Sequence, residues 1–142
     1  MVDKIINGIS RKLNSIFGDD YRIYAEEIPQ DLAPPAFFIQ LLQADVEQVV
    51  GTRYRRNHSF DVLFFPVDDG TGLQQCREVA GQLLDGLEYI TAQGQAFRGT
   101  GLRSEIIDGV LHVFVQYNLY VCKETEPEEF MGELSQQGNL KR

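Results

Sequence analysis

Cysteine, histidine and positive charge are all scarce in this chain. Its 142 residues hold two Cys and two His, and 13 Lys and Arg stand against 21 Asp and Glu, for a formal net charge of -8. Cys76 and Cys122 with two distant histidines do not make a tetrahedral zinc set at any recognisable spacing, so no metal and no cofactor is expected. Both cysteines read instead as reduced thiols acting as small hydrophobes, Cys76 in a helix and Cys122 at the end of a strand. The acidic balance argues against a general nucleic-acid binder, which carries a basic excess, though not against a local basic patch. Long apolar runs are missing too. The longest, such as Val62 to Phe65, is far too short to cross a bilayer, and no membrane partner is expected. The opening MVDKIINGISRKL spreads its charge and has no small-residue cleavage site, which predicts no signal peptide and a chain made in a reducing cytoplasm.

The usual enzymatic constellations are missing as well. No serine sits in a nucleophile elbow and no helix carries two histidines four apart. His58 and His112 both fall in predicted strands, where they read as surface or interface histidines without a nucleophile to serve. Gly70-Thr71-Gly72 and Gly99-Thr100-Gly101 lack the lysine of a phosphate loop and the full dinucleotide fingerprint. The first reads as a helix start and the second as a kink between strands. Asp68-Asp69 sit just before a helix, where the macrodipole is reason enough for them.

What the chain does have is clear periodicity. At 142 residues, with 43% hydrophobic and 24% charged residues, it is expected to form one domain with a real core. Residues 2–17 place Ile5, Ile6, Ile9, Leu13, Ile16 and Phe17 at helical spacing, closed by Gly18. A short strand over Tyr21 to Glu26 and a proline-rich loop through Pro35 follow. Ala36 to Val50 reads as a long strand turning at Gly51 into Thr52 to Pro66, TRYRRNHSFDVLFFP, around which the rest is organised. There Phe60, Val62 and Phe64 alternate with Ser59, Asp61 and Leu63. Thr71 and Gln74 have the capping-box spacing for a second helix running to about Leu87, with Leu73, Cys76, Val79, Ala80, Leu83, Leu84 and Leu87 on its apolar face. A small hairpin about Ala92 to Gln95 comes next. Asp108-Gly109 then turns a second hairpin into the long strand Val110 to Cys122. The fold class is α+β: a mainly antiparallel sheet with two helices packed on one face, plus the small hairpin. Residues 1–123 form the domain, and 124–142, with acids at Glu124, Glu126, Glu128, Glu129 and Glu133, read as a flexible or partner-ordered tail.

Arg53, Arg55 and Arg56 crowd the start of the organising strand and are out of character in an acidic protein. Three readings compete. They are a solvated strand end, a phosphate-binding patch, or, joined by Arg98 and Arg103, a protein interface facing the acids of another copy or another partner. Head-to-tail contacts of the last kind build rings when the rotation closes.

TRYRRNHSFDVLFFP and FRGTGLRSEIIDGVLHVFVQYNLYV resemble the signature stretches of the tail terminator, or tail completion, proteins of long-tailed phages and Gram-positive prophages. The N-terminal helix, the EEIPQ and PPAFFIQLL passages and the leucine-rich second helix come in the family's order, and the resemblance covers about residues 1–124. It implies a lambda-type terminator fold and a structural, non-enzymatic role. Such a protein caps the tail tube, ends its polymerisation and presents a surface to the head-side connector, acting as a hexameric ring at the head-proximal end of the tail. Its partners would be further copies of itself, the tube protein and the connector, with no specific nucleic acid. Assembly would take place in the bacterial host cytoplasm. Two alternatives stay open at this point: a neck or head–tail connector subunit, and a nucleic-acid-binding protein using the arginine patch.

Overall fold

The computed structural model describes residues 1–123. The reading of 124–142 as an acidic tail lies outside the described residues. The elements run α1 (Val2–Phe17), β1 (Arg22–Tyr24), β2 (Ala36–Val50), β3 (Arg53–Phe65), α2 (Gly72–Gly86), β4 (Tyr89–Ala92), β5 (Gln95–Ile107) and β6 (Val110–Cys122). All six strands join one sheet in the order β1-β2-β3-β6-β5-β4. The architecture is α+β, as the periodicity predicts.

Alternation in the strands decides which side faces the helices. Phe37 pairs with Phe64 and Phe64 with Leu111; Ile39 pairs with Val62 and Val62 with Val113; Phe60 pairs with Val115. Each of these rows therefore points to a single face. Ile5, Ile9 and Leu13 of α1 and Cys76, Val79 and Leu83 of α2 join the same buried cluster. Both helices thus lie on that face, and the opposite face of the sheet carries none. Cys76 is buried beneath α2, and desolvation pushes its thiol above the ordinary value. Cys122, at the end of β6, is exposed, and both cysteines are free thiols.

Several local expectations are corrected. Gly99-Thr100-Gly101 does not break the chain: β5 runs through it with a register shift between Thr100 and Arg103, and Gly101 takes a positive φ of 63°. One extra residue is absorbed as a bulge, so the chain has one strand fewer than its glycines imply. β1 pairs with β2 in parallel, because the proline-rich loop carries the chain back to start β2 beside it. The capping box at Thr71 is not made. Asp69 Oδ1 instead accepts from the Thr71 amide at 2.9 Å and its hydroxyl at 2.5 Å, and Gln75 Nε2 donates to the same oxygen at 3.1 Å. These bonds hold the Asp69 carboxyl below its ordinary range. Leu73, expected on the apolar face of α2, is exposed and lines a surface depression with Pro66 and Arg77.

Candidate functional site

The five arginines do not form one cluster. In a strand successive side chains leave opposite faces, so Arg53 and Arg55 share the helix-free face with Asn57, Ser59 and Asp61. Arg56 goes the other way, with His58 and Phe60. It lines a depression beside Met1, Val2 and Asp3 at the start of α1. Arg103 pairs with Phe114, which pairs with Asp61, and so it joins Arg53 and Arg55 on the open face. Arg98 sits one residue before Gly99, whose partner Tyr117 faces the core, and it too points away from the helices.

Most of these guanidinium groups are already engaged. Arg55 is ion-paired with Glu47. Arg98 and Arg103 lie 3.7 Å and 3.4 Å from Glu88 and Glu105. Arg53 stands over the Tyr120 ring at 5.3 Å, and Arg103 over Phe114 at 4.0 Å. Among the described residues Arg56 makes no ion pair. Exposed pairs of this kind contribute about 0–1 kcal/mol each, so their main effect is to fix orientation. They also neutralise the patch a phosphate backbone would need.

Two of these partners could be found by counting. A hairpin turning at Gly51 sets Glu47 opposite Arg55, and the two-residue turn at Asp108-Gly109 sets Arg103 opposite Phe114. Asn57–Asn118 and Asp61–Phe114 could not be found so, because the β3–β6 pairing joins strands separated by α2, β4 and β5.

In the middle of the open face Asp61 is 5% exposed, and its Oδ2 lies 2.8 Å from His112 Nδ1. Burial raises the Asp61 carboxyl pKa despite that bond. Arg55 Nε, Asn57 Oδ1, Asp61 Oδ1 and Asn118 Oδ1 are buried on the same face without a protein partner. His58, expected at a surface or interface, is instead buried at 4% exposure, with Nδ1 3.2 Å from the Tyr117 carbonyl oxygen. Its even position turns it to the helix side.

A raised folded pKa favours the protonated acid. Asp61's contribution is therefore complete below its ordinary value of 3.8 and is lost as pH rises through the folded value. Asp61→Asn is expected to melt progressively higher relative to the parent as pH goes from about 3 to about 7. Melting curves across that range check it. A gap that narrows with pH contradicts it.

Among the described residues no His, Cys, Asp and Glu are grouped to hold a metal, and no helix is long and apolar enough to cross a membrane. The arrangement is an α+β domain with one polar, aromatic-bearing sheet face left free of helices. The chain belongs to the phage tail terminator family: the sequence model described as "Phage tail terminator protein" matches residues 4–129. Membership makes it a structural component of phage tail assembly, working with tail and head parts. Fourteen chains of solved structures match it. One aligns with 89% of this chain and 99% of its own, at 14% identity and a TM-score of 0.44. No curated protein matches.

Proposed function

We propose that this protein caps the phage tail tube, ends its polymerisation and offers the surface to which the head joins, as a hexameric ring formed in the host cytoplasm. The observation that carries this reading is the family match across residues 4–129. The fold supports it by leaving one face of the sheet free of helices. In this reading one surface of the ring covers the growing end of the tube, and the other, being different, stops a further tube ring from adding.

Arg53, Arg55, Arg98 and Arg103 on the open face are the proposed subunit or tube contacts, and Arg56, on the helix side, serves a separate contact. Deleting the gene from its phage or prophage and measuring tails by electron microscopy tests the function. Overlong, headless tubes are expected. Tails of normal length beside filled heads would make the protein a connector, and complete particles would end both readings.

The arginines are tested by charge reversal. Arg53→Glu with Arg103→Glu is expected to cut finished particles at least about tenfold, equivalent to about 1.4 kcal/mol of junction free energy. Plaque counts together with unchanged melting of the purified protein read this out. Normal plaque counts would remove the open-face arginines from the interface.

A further inference from the structure

Sheet edges are the least protected feature of the fold. β1 covers β2 only along Ala36 to Phe38, and β4 covers β5 only along Gln95 to Arg98. Beyond those covers each strand has a hydrogen-bonded neighbour on one side only. From Leu42 to Val50 every β2 residue is exposed, and so is every β5 residue from Gly101 to Ile107 except Leu102. Apolar side chains stand in both stretches: Val46 and Val49 are 47% and 46% exposed, Ile106 and Ile107 40% and 47%. Neither stretch contains the proline or lysine that commonly blunts an open edge.

We propose that the open edge of β2, along Gln43 to Gln48, pairs with the open edge of β5, along Arg103 to Ile107, in a second copy of this chain. This rests on the ring reading above and names its junction. Within these limits each strand keeps an unbroken register with its inner neighbour, because the shifts fall outside them. The edges differ in charge: β2 contributes Asp45 and Glu47 with no basic residue, whereas β5 carries Arg103 balanced by Glu105 at 3.4 Å. Direction also fits. β2, β3, β6 and β5 are antiparallel in turn, so β2 and β5 run oppositely within one subunit. Copies joined in the same orientation therefore meet antiparallel, the more stable ladder.

The two edges lie at opposite sides of the sheet, so the contact is head-to-tail. Every subunit uses both edges once, which is the geometry that closes into a ring. β2's free stretch lies toward the Arg53 end of the sheet and β5's toward the Phe65 end, so the junction is staggered along the strands. A tilt of strands to the ring axis accommodates such a stagger, as it does in closed barrels. A second copy is the fitting occupant because its own chain supplies an open edge of matching length and direction.

The test is made in phage carrying Cys122→Ser, which removes the exposed native thiol. Ala44→Cys, Val46→Cys or Gln48→Cys is combined with Ser104→Cys or Ile106→Cys, all on the helix side of the sheet. Oxidation of assembled tails is expected to give a ladder of covalent multimers from at least one combination, and none from either single cysteine. Tails of normal length that give no ladder with any combination would overturn the junction while leaving the capping function standing. Normal tails from the gene deletion would instead overturn the function itself. A second variant, Val46→Lys with Glu47→Lys, should still fold cooperatively, with a modest fall in melting because both lysines face arginines of β3, and lower finished particles at least tenfold. Undiminished particle yield would also overturn the junction.

Discussion

Phe37→Ala is expected to lower the unfolding free energy by about 3–5 kcal/mol, which is a large part of the roughly 5–15 kcal/mol that holds an ordinary domain folded. Phe37 is fully buried near the start of β2. Its ring lies 5.1 Å from Phe17, 5.6 Å from Tyr21 and 5.1 Å from Phe64. Those rings come from the end of α1, the turn after it and the end of β3. Truncation leaves a cavity bordered by three elements that cannot all move inward at once. Denaturant unfolding with a shared slope gives the number directly. A loss below about 1 kcal/mol would mean that the site collapses freely and that these rings do not join helix to sheet.

Gly99→Ala is the second large effect, and its cause is crowding rather than loss. A Cβ built at Gly99 would lie 2.6 Å from the Leu87 carbonyl oxygen and 2.7 Å from Val115 Cγ2. The oxygen belongs to backbone, and it already accepts from the Tyr117 hydroxyl at 2.7 Å. The Gly99 amide itself donates to the Glu88 carbonyl at 2.6 Å. Here the end of α2 lands directly on β5 and β6, so added volume must push the helix off its seat. Overpacking of this kind costs about 1–3 kcal/mol, and more where backbone must move. Gly81→Ala is the matched control: it lies in α2 with nothing within 4 Å, and should gain about 0.5–1 kcal/mol from helix propensity. Opposite signs at the two glycines are expected in paired thermal melts. A neutral Gly99→Ala would refute the close seating of α2.

The arginines show where reading along the chain stops. Their exceptional density was visible at once, and their alternation was equally visible in the spacing of Phe60, Val62 and Phe64 two residues apart. Continuing that alternation back through the strand separates Arg56 from Arg53 and Arg55. The pairing of Arg55 with Glu47 follows from the turn at Gly51 in the same way. His58 obeys the same alternation: its even position places it on the core side with Phe60, although a histidine in a strand reads by type as a surface residue. By contrast, the Asp61–His112 contact spans residues 51 apart, and local pattern gives it no signal.

Periodicity and turn chemistry were sufficient for the helices, the long strands and the Asp108-Gly109 hairpin. Each is set by contacts within a few residues, or by a face that must be apolar throughout its length. Long stretches with polar positions in place were likewise sufficient for the family. Strand order was decided only in three dimensions, because β3 beside β6 depends on how α2 folds back, and no local preference encodes that return. The same holds for the parallel seating of β1, for the bulge that keeps β5 whole, and for the edges left uncovered. Backbone hydrogen bonding between strands is indifferent to side-chain identity, so which edge finds a neighbour is settled by the packing of the whole sheet.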